Sequence, residues 1–393
     1  METFKDLLRH IIPLIIIVWV VRMYNLAIFY NYKIENINPP TCQLPAGFEK
    51  STPDKPYHYA AEDIEIDYEN NLAFVSVGFR WKNFNPIYEH FGTFEPVFQG
   101  IYVYEDLDFM KDPIRIEIPS SNPHGISLYK LSEKIIRVFV ASHPNPSSGN
   151  GSEETIYFDF DVNDHDRLSS SYKFNRIQSS KTWATNDVVA VGPNKFLASQ
   201  WQYFPDEQFI KNNLVGLSTM ELTSISYIEF DEKTNKPTLE TTIAKNLALV
   251  NGIIYDFDRK LLFANTFVTS QIQIISWDFE NPTKSIDKKG NVSKIHRTLF
   301  LEKGIGPDNL SINKDKTFMY VAGFNNIFES FVSKPTFDVP SAGVKINFET
   351  FEVEPIFNDE KGEYSASVIV EVDRDENKYL IGSPYKNMQV CGF

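Results

Sequence analysis

Asn251-Gly-Ile-Ile-Tyr-Asp256, the turn Phe257-Asp-Arg-Lys260 and Leu261-Leu-Phe-Ala-Asn265 make one phrase: an amide residue opening a short strand, a tight turn, and a second strand. The phrase recurs along the whole chain. Glu62-Asp63, His124-Gly125, Asn186-Asp187, Asn251-Gly252, Asp308-Asn309 and Ala366-Ser367 each open an apolar run, at steps of 62, 62, 65, 57 and 58 residues. Ile64 to Asp67 precedes Leu72 to Ser76, and Val188 to Val191 precedes Lys195 to Ser199. Leu310 to Asn313 precedes Phe318 to Gly323, and Val368 to Val372 precedes Tyr379 to Ser383. A period of roughly 60 residues with several strands per unit is too long for a solenoid repeat and suits a propeller blade carrying long loops. Six units predict an all-β, six-bladed β-propeller over residues 40–393, because blades bury their faces only against neighbours.

The innermost strand of every blade runs along a central channel, so residues at one phase of the repeat meet in space. That set is Glu62, His124, Asn186, Asn251 and Asp308 with Asn309. Carboxylate and amide oxygens are the hard ligands that calcium takes, about six to eight at a time. A single Asn or Asp before a strand ordinarily serves a turn. Agreement of phase across five repeats points instead to a cation site.

The chain has 393 residues, 42% hydrophobic and 14% aromatic, so it can build a large core and is not a disordered polymer. Its net charge of −14 sets nucleic acid aside as a partner. Lys5 and Arg9 precede the apolar run 11–21, and a weaker run, Met23 to Tyr30, follows Arg22. The first run alone matches a signal-peptide core better than a membrane span. No small-x-small cleavage site follows it, and the continuation extends it to roughly the 20 residues a span needs. Residues 1–32 are therefore expected to form an uncleaved signal-anchor helix, a single pass with the propeller lumenal (endoplasmic reticulum) or extracellular. Cleavage would give a secreted protein.

The two cysteines, Cys42 and Cys391, flank the first and last repeats. In an oxidising compartment they are expected to pair at ring closure, where the last blade is completed by a strand from the other terminus. A loop that long contributes roughly 5 kcal/mol at most in the chain-entropy model; in a reducing compartment the two would remain buried thiols. Asn150-Gly-Ser and Asn291-Val-Ser are glycosylation sequons in polar loops, whereas Asn309-Leu-Ser fits the pattern but would line the channel.

Glu62-Asp63-Ile-Glu-Ile, Asn122-Pro-His-Gly-Ile-Ser127, His143-Pro144, Asn186-Asp-Val-Val-Ala-Val-Gly-Pro193, Asn251-Gly-Ile and Asp308-Asn309-Leu-Ser, in this order and spacing, resemble the serum paraoxonase/arylesterase family. The resemblance covers residues 40–393 and includes Cys42 and Cys391. It implies calcium-dependent arylesterase or lactonase activity with two calcium ions. Glu62, Asn186, Asn251, Asp308 and Asn309 would hold a catalytic ion, and Asp63, Asp187 and the carbonyl of Ile126 a buried structural one. His124 and His143 would form a histidine dyad above the first ion, handling the proton of the attacking water. The implied partners are a small ester or lactone and a membrane reached through the N-terminal anchor. The chain departs from the family at the pocket wall, where it reads Ser199-Gln-Trp-Gln-Tyr-Phe204 and Phe324-Asn-Asn326. These departures keep open a second reading: a non-catalytic, paraoxonase-like membrane chaperone that assists folding or assembly of an ion-channel protein.

Overall fold

The computed structural model describes residues 20, 37, 40–48, 60–78, 99–144, 153–163, 171–203, 221–282, 295–301, 305–325 and 338–393. The expected anchor over 1–32, apart from Val20, and the sequons Asn150 and Asn291 lie outside them. Among the described residues no helix is long and apolar enough to cross a membrane.

Six four-stranded antiparallel sheets follow one another along the chain. Blade 1 is β2 (Ala60–Asp67), β3 (Leu72–Gly78), β4 (Gly100–Tyr104) and β5 (Ile114–Glu117). Blade 2 is β6 (Ser121–Lys130), β7 (Ile135–Pro144), β8 (Glu154–Asp161) and β9 (Asn175–Ile177). Blade 3 holds β10 (Thr185–Gly192), β11 (Lys195–Gln200), β12 (Thr223–Asp231) and β13 (Lys236–Leu247). Blade 4 holds β14 (Val250–Asp256), β15 (Leu261–Thr266), β16 (Gln271–Ser276) and β17 (Ile295–Phe300). Blade 5 comprises β18 (Gly306–Ile312), β19 (Phe318–Phe324), β20 (Ser341–Asn347) and β21 (Val353–Asp359). Blade 6 takes β22 (Val368–Asp373), β23 (Lys378–Gly382) and β24 (Gln389–Gly392) from the chain end and β1 (Thr41–Gln43) from its beginning. The first strand of every blade packs against the first strand of the next, and β22 packs against β2, so the ring is closed.

The hairpin joining the two inner strands repeats for a local reason. Asp67, Asp256 and Asp373 end their strands and accept the amide two residues on, from Glu69, Asp258 and Asp375. Asn71, Lys260 and Asn377, which precede the returning strands, take left-handed backbone at φ 53°, 52° and 50°. An Asx side chain that satisfies its own turn is why these positions are acidic.

Six apolar clusters each fill the gap between successive blades. Between blades 3 and 4, for example, Tyr227 and Tyr255 meet Trp277 with ring centroids 5.7 Å away in each case. An aromatic buried this fully contributes on the order of 4 kcal/mol from area alone. A seventh cluster, Phe267, Val268, Phe324 and Val339 with Ala248 and Leu249, lies on the rim where the inner strands begin. The ring closes as expected: Cys42 faces Cys391 in the β1–β24 ladder and the two are joined as a disulfide.

The inner strands differ from the sequence reading in one respect that matters for the site. In blades 1, 3, 4 and 5 they start three or four residues earlier, in blades 1 to 5 they carry the repeated dipeptides inside them, and β22 alone starts where expected, at Val368. In blades 1 to 5 the inner ladder slips at that point: between Ala61 and Ile64, Pro123 and Ile126, Thr185 and Val188, Val250 and Ile253, and Pro307 and Leu310. Each dipeptide is therefore a β-bulge, a device that frees a residue from the ladder and re-aims its side chain.

Candidate functional site

Five bulges in one ring bring the predicted residues to one place. Glu62, Asp63, His124, Ile126, His143, Asn186, Asp187, Asn251, Asp308 and Asn309 are all buried. The bulges are built cheaply. The amide that leaves the ladder at Asp63 donates to Ser76 Oγ at 3.0 Å, and its counterpart at Asp187 donates to Ser199 Oγ at 2.9 Å. The Asn309 amide donates instead to the Ser367 carbonyl of the next blade.

The first residues of the dipeptides form the upper tier. Glu62 Oε2 lies 2.5 Å from His124 Nδ1, and Asn186 Nδ2 lies 3.0 Å from His124 Nε2. Asn309 Nδ2 donates to the Glu62 carbonyl at 3.1 Å. Asn265, on the second strand of blade 4, fixes the backbone of the tier by donating from Nδ2 to the Asp308 carbonyl at 2.7 Å. Sequence reasoning missed Asn265, since it sits off the inner strand, and its only signal is an amide at the end of the apolar run Leu261 to Ala264. Asn251 holds the same bulge position in β14, between the blades that carry Asn186 and Asp308.

The donor set can be tested against a cation. The side-chain oxygens of Asn186, Asn251, Asn265 and Asn309 are buried and accept no hydrogen bond. A buried acceptor left unmatched costs about 1 to 3 kcal/mol, and four are gathered here. A hard cation satisfies such oxygens, and amide with carboxylate oxygen is what such an ion takes. Among the described residues no three His, Cys, Asp or Glu side chains assemble as a metal cage. The tier thus relies on amides, with Glu62 and Asp308 supplying the charge.

The second residues form the lower tier and alternate in size: Asp63, Gly125, Asp187, Gly252 and Asn309. The glycines are required by close approach. A Cβ on Gly125 would stand 2.3 Å from Asp187 Oδ1 and 2.5 Å from Asp187 Cα, and one on Gly252 would stand 2.6 Å from Asn309 Cα. Asp63 accepts the Ile126 amide at 2.8 Å and Asp187 accepts the Ile253 amide at 2.8 Å, so each carboxylate also staples its blade to the next. Ile126, whose carbonyl was expected as a ligand, meets Asp63 through its N–H. Burial pushes the Asp63 carboxyl up to about 7, against the pull of the two backbone amides it accepts. Burial, then the charge of Asp63, drives Asp187 well above the usual carboxylate range. The same causes raise Glu65, which the sequence reading did not single out. A buried carboxylate pushed toward protonation is one whose charge a cation would neutralise. Both tiers therefore fit oxygen-seeking divalent ions. Glu65 also lines a cavity of about 360 Å³ at the far mouth of the channel, with Tyr68, Lys130, Asp256 and Asn313.

His143 comes from the end of β7, next to the inner strand of its blade. Its ring stands 5.2 Å from that of His124 at 63°, so the two expected histidines are neighbours. His143 Nδ1 lies 2.6 Å from Glu153 Oε1. On the altered wall, Gln200 accepts from Ser224, and Asn325 donates to the Ser341 carbonyl and to Asn358 Oδ1. Both side chains are thus tied into their own blades. Phe204 and Asn326 lie outside the described residues.

A protein-family model described as Arylesterase matches residues 58–391. The chain is 25% identical over 370 residues to rat serum paraoxonase/arylesterase 2, covering 91% of this chain and 90% of that one. It is 25% identical over 297 residues to human serum paraoxonase/arylesterase 1, covering 71% and 73%. Among solved structures, a luciferin-regenerating enzyme superposes with a TM-score of 0.52 at 12% identity over 90% of this chain and 97% of that one, a likeness of fold.

Proposed function

The chain belongs to the arylesterase family, and on that premise we propose that it is a calcium-dependent hydrolase of aryl esters or lactones, anchored to a membrane by its N-terminal segment. The observation that carries the reading is the ring of unmatched amide oxygens, Asn186, Asn251 and Asn309, gathered with Glu62 and Asp308 beside two buried histidines. In this reading Glu62, Asn186, Asn251, Asp308 and Asn309 would hold the catalytic ion, and Asp63 and Asp187 the structural one. Held by these upper-tier residues, a calcium ion would supply Lewis-acid polarisation of the substrate carbonyl. The chain's own residues do the rest. His124 and His143 together take up the proton of the attacking water, which their proximity and imidazole chemistry allow. The Glu62 carboxylate at His124 Nδ1 holds that ring over the ligands.

The test is hydrolysis of phenyl acetate and a panel of lactones, with and without chelation. His124→Gln should lower turnover by roughly 10²- to 10⁴-fold while calcium affinity is kept. A second reading, the non-catalytic membrane chaperone for a channel protein, draws on one observation: Gln200 and Asn325, at the altered wall, face their own blades. Wild-type protein that binds calcium, melts cooperatively and hydrolyses none of these substrates would defeat the hydrolase reading in favour of the second. In that case His124→Gln would be silent in a channel-assembly assay.

A further inference from the structure

We propose that Glu153 is a positioning residue of the histidine pair: its carboxylate fixes the ring and tautomer of His143, leaving Nε2 of His143 as the nitrogen that accepts a proton. The role it would have in turnover rests on the hydrolase reading above; the pairing itself does not.

Strand register places Glu153. In the β7–β8 ladder Ala141 faces Thr155 and Ser142 faces Glu154, so one further step sets His143 against Glu153. Successive residues of a strand point to opposite faces, so the tandem Glu153-Glu154 divides. Glu154 turns to the Arg176 guanidinium, which also reaches the Pro119 carbonyl. Glu153 turns to the His143 ring, with Oε1 2.6 Å from Nδ1. The imidazole is 1% exposed and the Glu153 side chain 13% exposed, so the pair sits out of bulk water, where a charge-assisted hydrogen bond of this length is strong.

The chemistry follows from the donor inventory. An ionised carboxylate only accepts, so Nδ1 of His143 must carry the hydrogen, and the neutral ring is then the Nδ1–H tautomer with a lone pair on Nε2. When Nε2 takes a proton, the positive charge of the ring is met by the Glu153 carboxylate, the work that an orienting acid does for an imidazole base. His124 has a parallel arrangement, with Glu62 on its Nδ1. An acid stands behind each ring of the pair.

The experiment uses the full-length, calcium-loaded protein labelled with ¹⁵N-histidine, the His143 signals being assigned by their loss in His143→Asn. The expected wild-type result is a protonated Nδ1 and an unprotonated Nε2 in the neutral ring. An Nε2–H tautomer in the wild type would overturn the proposal without any variant. Glu153→Leu removes the acceptor at Nδ1, and should shift His143 toward the Nε2–H form. With phenyl acetate it should lower kcat about 10- to 100-fold with little change in KM. Glu153→Asp should restore the Nδ1–H tautomer and part of kcat. Glu154→Gln should lower stability and leave the tautomer alone. An unchanged tautomer in Glu153→Leu overturns the pairing, and a changed tautomer with unchanged kcat overturns its part in turnover. Wild-type protein without hydrolysis would remove the catalytic part together with the hydrolase reading, while the ¹⁵N signals would still decide the pairing.

Discussion

Blade 6 and the other five blades solve different problems with the same four strands. In blades 1 to 5 the inner strand bulges at its dipeptide and turns an oxygen or nitrogen donor inward. In blade 6 the corresponding Ala366-Ser367 precedes β22 and offers no carboxylate, amide or imidazole. Instead Ser367 clasps its neighbours: its hydroxyl donates to the Glu62 carbonyl at 2.7 Å and its carbonyl accepts the Asn309 amide. The same blade joins the two chain ends through β1 and the Cys42–Cys391 disulfide. The blade that closes the ring supports the bulge backbones of its two neighbours from outside.

The sharpest break in that comparison is a bulge residue. Asp308→Ala removes a charged donor from the upper tier, and isothermal titration should show that calcium site lost, with turnover down at least about 10³-fold. Retained tight binding at both sites would mean that blade 5 is no more chemical than blade 6.

Next in size is the effect of ion removal on stability as pH changes. In chelator, the folded state holds a proton on Asp63 up to about 7, against an unfolded value of 3.8. The folded chain therefore binds more protons between those values, so stability is greatest at the acid end and falls as pH rises through about 7. Calorimetry in chelator should show melting temperature declining over that window. Added calcium should remove the decline, since the ion takes the deprotonated form. Asp63→Asn should flatten the slope in chelator; an unchanged slope would place the titration elsewhere.

Blade 6 should respond to closure alone. Cys391→Ser opens a loop of 349 residues and should cost about 2 to 5 kcal/mol by denaturant titration. Activity per folded molecule should be unaltered, and a large loss of activity in the fully folded fraction would contradict the division of labour. The smallest contrast sets two matched positions side by side. Gly125→Ala forces a methyl group against the Asp187 backbone and should cost about 3 kcal/mol. Ser367→Ala loses one hydrogen bond to the Glu62 carbonyl and should cost about 1 kcal/mol. Equal costs would show that the two positions are under the same constraint.

The blade count, the closing cysteines and the shared phase of the dipeptides were legible in the chain because each is carried by local, repeated chemistry. A strand–turn–strand phrase needs only its own Asx turn, such as Asp256 with Asp258, and so it reappears wherever a blade begins. Residues at one phase of a closed ring must converge, so Glu62, Asn186, Asn251 and Asp308 could be grouped before any contact was seen. The bulges were not legible, because they depend on which amide loses its partner and on a serine one strand away, Ser76 or Ser199, that accepts it. Nor were Asn265, Glu65 and Glu153. Asn265 acts on a backbone 43 residues further on, Glu65 is raised by burial in the closed ring and then by Asp63, and Glu153 meets His143 only through the register of β7 and β8. The sequence by itself determined the ring and which residues face its axis, since periodicity and residue type suffice for both. Only the tertiary structure decided which oxygens are left unmatched and which carboxylate stands behind each imidazole, because hydrogen bonds between blades, and between paired strands of one blade, are set by approach distances and register that the repeated phrase does not contain.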